Sequence, residues 1–284
     1  MSSDPSRVDA TSHARRIGVL SILLTVVAVP LVVFVWGPHL PPGDYTKQDD
    51  AQRANNVLLA AVATPVVVTV LVFFIYTLTT FRRRGDDLTD GPPTQGHGRI
   101  QATWIVVTTS MVMVAAAWGT IGLFDSSLGA GGGQGPQPLN QPDGYRLPVQ
   151  VIAQQWGFTY RYPTYGGVET YTLALPVDTT VEFHVTSLDV VHSFWAYQLG
   201  VKADAVPGAD NVAYVDAKRV GDFQIRCAEL CGLFHAQMGA RGRVMTTRDF
   251  TTWVHHEQVA EAPEQKYLPP YGSTYFPDPP GRAG

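Results

Sequence analysis

The sequence predicts an α-helical membrane anchor followed by an all-β sandwich. Three observations carry this. Hydrophobic residues make up 45% of the chain, an ordinary average, but their longest runs all lie before residue 125. Ser126 to Gly144 is then crowded with Gly, Pro and Gln, including Gly129, Gly131, Gly132, Gly133 and Gly135, which is the composition of a flexible linker. Beyond Leu147 the pattern changes to short alternating stretches separated by Pro, Gly and Asp, the signature of an all-β sandwich or barrel.

Residues 1–16 read as a polar tail on the cytoplasmic side. Arg15 and Arg16 precede Ile17–Trp36, an uncharged run of about twenty residues, long enough to span a bilayer. The same run resembles a signal peptide, with a basic start and an apolar stretch. No small-x-small cleavage site follows, since Trp36-Gly37-Pro38-His39 is a poor one, and no Cys follows for lipoprotein processing. A retained helix is therefore expected; cleavage would leave two spans. After a polar loop over 37–56, a second span is expected over 57–81, with Pro65 inside it, as transmembrane helices tolerate. Arg82-Arg83-Arg84 closes it and marks the cytoplasmic side. The third span, 100–124, has Trp104 and Trp118 near its ends as interfacial anchors. This topology puts everything after Phe124 outside the cell, whether or not the first run is kept. A linker over 125–146, a β domain over 147–256 and an extended Pro-rich tail over 257–284 complete the expectation.

Strand candidates include Val149–Ala153, Trp156–Tyr162, Tyr171–Leu175, Thr180–Thr186, Asn211–Val215, Asp222–Arg226 and Gly242–Thr246. The net charge of −4 argues against a nucleic-acid partner. The two cysteines both lie in one short segment, so there is no disulfide framework.

That segment, Cys227-Ala228-Glu229-Leu230-Cys231-Gly232-Leu233-Phe234-His235-Ala236-Gln237-Met238, holds two thiols, an imidazole and a thioether, and His192 stands upstream in Val190-Val191-His192-Ser193-Phe194-Trp195. Soft thiolate and thioether ligands select copper, zinc or iron–sulfur clusters, and imidazole suits copper and zinc. A single Cys, His and Met would read as a mononuclear blue-copper site. Two cysteines with a histidine on either side allow two metal ions bridged by both thiolates and capped by one imidazole each. A disulfide and a zinc site remain open on spacing alone, although structural zinc usually shows a second Cys pair.

The loop resembles the binuclear CuA loop of subunit II of the haem–copper oxidases, Cys-x-Glu-x-Cys-x3-His-x2-Met, with every ligand position filled. The run Asp189–Trp195 followed by Leu199–Gly208 is similar to that family's sequence around its first ligand histidine. The resemblance covers about Val57 to Trp253. It implies a cupredoxin-like Greek-key sandwich after a two-helix hairpin, with Ile17–Trp36 an addition or a signal. It implies two copper ions per chain, with Cys227 and Cys231 bridging, His192 and His235 terminal, and Met238 and the Glu229 carbonyl as weak ligands. It also implies a magnesium ion at the junction with subunit I through the Glu229 carboxylate.

The family's electron-entry indole, which receives electrons from cytochrome c, corresponds to Trp156 in Gln155-Trp156-Gly157-Phe158; Phe158 stands where many members have a second Trp. Asp189 and Asp204 are candidates for an acidic docking face. Gln101, three residues before Trp104, replaces a Glu associated with a proton path in subunit I, and an amide releases no proton at physiological pH. His184, His255 and His256 match no ligand position.

The implied function is electron entry into a terminal oxidase of a prokaryotic cell membrane, with haems, oxygen reduction and proton pumping in subunit I and further subunits around it. A CuA-bearing nitric oxide reductase subunit would share the loop and the anchor. A membrane-tethered copper carrier would expose exchangeable thiolates. A quinol-oxidase subunit would lack the ligands, and the chain has no room for the propeller of a nitrous oxide reductase.

Overall fold

The computed structural model describes residues 5–40, 43–81, 96–124 and 144–265. The Arg82–Arg84 cluster, most of the expected linker and the chain after 265 lie outside these residues. The chain divides into two compact units. The first comprises Met1–Leu40 and Arg53–Ala116, the second Pro41–Gln52 and Ala117–Gly284.

The first unit is helical. α1 runs Pro5–Pro30, so the expected tail is helical from its fifth residue; Pro5 fits a first helical position because its missing N–H has no partner there. Pro30 cannot donate to the preceding turn, and the chain continues as a π-helical stretch over Leu31–Trp36, with the Gly37 N–H reaching Val32. α2 runs Lys47–Thr80, straight through Pro65, and α3 runs Gly98–Phe124. All three helices are long and apolar enough to cross a membrane. Their apolar side chains stand largely uncovered: Phe34, Val70, Trp104 and Val114 are 60% or more exposed, a surface suited to hydrocarbon rather than water. His13 Nδ1 of α1 lies 2.7 Å from the Tyr76 hydroxyl of α2.

α2 begins ten residues before the expected span. Thr46 and Asp49 form a reciprocal cap: the Asp49 N–H donates to Thr46 Oγ1 at 3.1 Å and the Thr46 N–H to Asp49 Oδ2 at 3.1 Å. The polar segment around this cap belongs to the second unit, where it is packed against the sandwich. Thr46 and Asp49 are fully buried. Thr46 Oγ1 donates to the Leu199 carbonyl at 2.8 Å, and the Asp216 N–H donates to Gln48 Oε1 at 2.8 Å.

The β domain is a sandwich of ten strands: β1 Arg146–Gln154, β2 Gly157–Tyr162, β3 Val168–Thr170, β4 Leu173–Pro176, β5 Thr179–Ser187, β6 His192–Ala196, β7 Val201–Ala205, β8 Asn211–Ala217, β9 Gly221–Cys227 and β10 Gly239–Met245. One sheet has the order β3-β2-β1-β5-β8 and the other β4-β10-β9-β6-β7. β1 pairs β5 in parallel and β4 pairs β10 in parallel, while the remaining pairs are antiparallel. Alternate residues of both sheets fill the space between them. Phe194 is fully buried at its centre, with ring centroids 5.3 Å from Phe183, 6.0 Å from Phe158 and 6.4 Å from Tyr160.

A last helix, α4, runs Thr247–Gln265. The expected extended tail is therefore helical as far as 265. At its start the Asp249 N–H donates to Thr246 Oγ1 at 3.2 Å, as Asp49 does to Thr46, and the Thr246 hydroxyl donates to Asp249 Oδ2 at 2.7 Å. Phe250 and Val254, four apart on one face, are buried against the sandwich. Further along, Gln258 donates to the Tyr165 carbonyl at 2.7 Å and Glu261 accepts the Glu169 N–H at 2.9 Å, which ties this part of α4 to the sandwich.

The outer face of the first sheet holds a buried ionic group. His184 lies between Asp210, at 2.8 Å from Nδ1, and Glu182, at 3.2 Å from Nε2. Burial lowers the imidazole pKa, but the two carboxylates outweigh it and raise it from 6.5 to about 9. A group whose folded pKa is raised stabilises the fold fully below its unfolded value, and that stabilisation is lost as pH climbs through the folded one. The urea midpoint of the β domain should therefore fall between pH 6.5 and about 9, and His184→Gln should flatten that slope, as read by circular dichroism across the range.

Candidate metal centre

The hairpin β9–β10 carries the metal loop. Cys227 is the last residue of β9, and Gly239 opens β10. The Cys227 N–H donates to the Met238 carbonyl at 3.0 Å, closing the loop at its base. The Ala228 N–H donates to Ser193 at 3.0 Å, tying the loop to β6, whose first residue is His192. Phe194 pairs with Cys227 across the sheet, so the aromatic core lies directly beneath the first thiol.

Five of the six expected ligand groups converge through their side chains and the sixth through its carbonyl. Cys227 and Cys231 are free thiols with sulfurs 3.8 Å apart. His192 Nδ1 lies 3.9 Å from Cys227 Sγ, and His235 Nδ1 lies 3.6 Å from Cys231 Sγ. Met238 Sδ is 3.1 Å from His192 Nδ1 and 3.6 Å from Cys231 Sγ. The Glu229 carbonyl oxygen is 3.2 Å from Cys227 Sγ, while its carboxylate side chain is exposed. His192, Cys227, Cys231 and Met238 are buried and His235 is half-buried. Burial first, and then the adjoining Cys227 thiol, raise the Cys231 pKa to about 11, so metal loading must displace a proton.

This donor set fits a copper pair better than one zinc ion. A single tetrahedral zinc would be satisfied by the two thiols and two imidazoles and would have no use for a buried thioether beside them. Two soft ions between paired thiolates use every donor present, the thioether and carbonyl included.

Asp189, exposed as a docking-face residue would be, has a second role that the sequence did not show. Its Oδ1 lies 2.9 Å from His192 Nε2 and accepts the Val190 N–H at 2.6 Å, while Oδ2 accepts the Gln155 N–H at 2.7 Å. With the His192 proton held on Nε2, Nδ1 keeps a free lone pair facing the thiols. Partial burial pushes the Asp189 carboxyl up, but these donors outweigh it and hold it below its usual range. Asp204 is engaged as well, by Ser193 Oγ at 2.7 Å and Lys202 Nζ at 3.5 Å.

Trp156 sits beside the loop. Its ring meets Phe234 edge to face, with centroids 4.9 Å apart, and it is 37% exposed, so one part of the indole packs and another meets solvent. The Gln155 side chain donates to the Cys231 carbonyl at 2.8 Å. Gly232 has φ +120, and a Cβ there would lie 2.9 Å from Gln155 Nε2 and 3.3 Å from the indole, so only glycine lets the loop approach this closely. Phe158 is buried under Phe194 and takes no part in the surface. Gln101 lies exposed on the first turn of α3, His255 and His256 are exposed on α4, and His184 is in the ionic group described above.

The family model for cytochrome c oxidase subunit II, periplasmic domain, matches residues 169–242, which include both metal-loop segments. Cytochrome c oxidase subunit 2 of Synechocystis is 26% identical over 273 residues, spanning 84% of this chain and 82% of that protein. The same subunit of Bacillus subtilis is 28% identical, over 90% of this chain and 73% of that protein. The chain belongs to the cytochrome c oxidase subunit II family. A crystal structure of the periplasmic domain of subunit II of cytochrome oxidase from Bradyrhizobium japonicum is 30% identical, with a TM-score of 0.40, over 42% of this chain and 97% of that one.

Within this subunit II chain, Asp189 orients a ligand without touching the metal position. Asp189→Asn should lower copper affinity by about 10- to 100-fold with the fold intact, as measured by chelator competition beside circular dichroism.

Proposed function

We propose that this chain is the electron-entry subunit of a respiratory terminal oxidase. It accepts single electrons from cytochrome c and hands them to haem in a separate catalytic subunit, where oxygen is reduced to water and protons are pumped. The observation that carries this is the arrangement of the thiols, side by side at 3.8 Å with one imidazole next to each and a buried thioether between. Cys227, Cys231, His192, His235, Met238 and the Glu229 carbonyl would hold a pair of copper ions, the two thiolates shared between them. When bound, the two ions supply a one-electron carrier whose charge is spread over both metals and both sulfurs.

The chain's own residues hold that centre rigid. Asp189 fixes the His192 ring, the Cys227–Met238 backbone bond closes the loop, and the buried sulfurs are shielded from exchange. Burial speaks against a copper carrier, whose thiolates must be accessible. Trp156 presents the indole edge to the donor. The exposed Glu229 carboxylate is free to hold magnesium at the junction with subunit I. The relatives named cytochrome c oxidase subunit 2 favour the oxidase over a nitric oxide reductase.

The setting is the cell membrane of a prokaryote, with the sandwich outside. Arg15 and Arg16 favour a cytoplasmic start. The segment between the first two apolar runs is docked on the sandwich through Thr46 and Gln48, so both belong on the same side of the bilayer, the extracytoplasmic one.

In the assembled oxidase, Trp156→Ala should slow copper reduction by reduced cytochrome c at least about tenfold, or ~1.4 kcal/mol of barrier, with the copper content unchanged, as followed by stopped-flow absorbance. Unchanged rates would remove Trp156 from the entry role. Cys227→Ser or Cys231→Ser should abolish the two-copper content measured by atomic absorption.

A further inference from the structure

The polar segment before the second apolar run, residues 44–52, belongs to the second unit and lies on one end of the sandwich. Strand direction shows which end. β9 starts at Gly221 and finishes at Cys227, and β6 starts at His192 and leads into Leu199 and Gly200. The segment meets Leu199, Gly200, Asp216 and residues 217–222, all at the end away from the metal loop. Thr46 forms an antiparallel bridge with Ala217, and the Lys218 N–H donates to the Tyr45 carbonyl at 2.9 Å. The segment therefore pairs with the end of β8, the edge strand of the first sheet.

The hold has a buried centre and an ionic rim. At the centre Thr46 Oγ1 donates to the Leu199 carbonyl, Gln48 Oε1 accepts the Asp216 N–H, and Gln52 Nε2 donates to the Gly200 carbonyl. Thr46, Gln48 and Asp49 are all buried. Gly200 has φ +66, and a Cβ there would lie 3.0 Å from the Asp49 nitrogen and from its Oδ1, so glycine is what lets the segment come this close. At the rim Lys218 pairs with Asp50 and Arg219 with Asp44, and the Tyr45 hydroxyl donates to the Asp222 carbonyl at 3.0 Å. Exposed ion pairs each contribute little, so the buried hydrogen bonds carry most of the hold.

We infer that residues 44–52 are a positioning strap, which fastens the sandwich to the start of α2 and so holds the copper centre at one distance from the haem that takes its electrons. The inference rests on the electron-entry reading. α2 begins at Lys47, inside the strap, and is one helix to Thr80, so strap and apolar span share a single rod. The sandwich's other connection to the membrane helices is the Gly-, Pro- and Gln-rich stretch after Phe124, whose composition is that of a linker and sets no distance. β9 has seven residues and spans roughly 20 Å between the strap end and Cys227. Rocking the sandwich by about 10° at the strap would then move the thiols by roughly 3–4 Å over that length. Electron transfer between fixed centres falls steeply with distance, whereas a donor that diffuses in can meet the sandwich wherever it stands. The strap therefore governs transfer out of the centre and not entry. Thr46 and Gln48 are its positioning residues, and both lie at the end without ligands.

The test uses the whole oxidase, with copper reduction by cytochrome c and copper-to-haem transfer followed as separate phases by stopped-flow absorbance. Thr46→Ala with Gln48→Ala should slow copper-to-haem transfer at least about tenfold, while the copper content, the copper spectrum and the rate of copper reduction stay as in the wild type. Thr46→Ser alone, which keeps the hydroxyl, should transfer at the wild-type rate. If the buried pair costs the fold, the rim decides. Asp44→Lys with Asp50→Lys should slow the same phase by a smaller factor, and adding Lys218→Asp with Arg219→Asp should restore it. An unchanged copper-to-haem rate in the alanine pair and the lysine pair would overturn the inference. So would slowing of both phases together with an altered copper spectrum, which would make the segment an ordinary part of the fold. A wild-type copper centre that cytochrome c does not reduce would overturn the electron-entry reading, and the strap's role with it.

Discussion

The Asp189 carboxylate holds three parts of the site at once. One oxygen takes the His192 Nε2 side at 2.9 Å, the other takes the backbone N–H of Gln155 at 2.7 Å, and the Val190 N–H closes the turn between them. Gln155 in turn reaches the Cys231 carbonyl, and its neighbour Trp156 lies against Gly232. The ligand from β6, the loop after β9 and the turn between β1 and β2 are therefore locked to one another through a single acid. Removing it would free the imidazole to rotate and would hand the exposed Gln155 N–H over to water.

Below this layer the constraint is packing. Phe194 stands opposite Cys227 in the sheet and is enclosed by Phe158, Tyr160 and Phe183. The strand pairing fixes the first thiol beside this buried, close-packed aromatic cluster. The centre is thus shaped before any metal arrives. That matters for electron transfer, where little rearrangement between oxidation states is wanted.

Much of this was legible in the chain. The alternation at Val149–Ala153 and Trp156–Tyr162 marked strands because one face of each is buried, and the Cys-x3-Cys-x3-His-x2-Met spacing placed four donors on one loop. The apolar runs marked the helices but not where they begin. α2 starts at a Thr46-x-x-Asp49 cap and α4 at a Thr246-x-x-Asp249 cap, both short-range signals that were present and passed over in favour of hydropathy. The hold of Asp189 on His192 was not legible, because an acid three residues before a histidine reads only as surface charge until β6 is known to begin at that histidine. The parallel pairing of β1 with β5 and the docking of Thr46 on Leu199 were not legible at all, since they join residues far apart in sequence with no local signature.

The central claim is that two metal ions share two thiolates in one rigid site. The most direct measurement is electron paramagnetic resonance on the copper-loaded full chain in its oxidised form. A spectrum in which one unpaired electron is shared equally by two copper nuclei is the predicted result. A spectrum of a single isolated copper would contradict the claim.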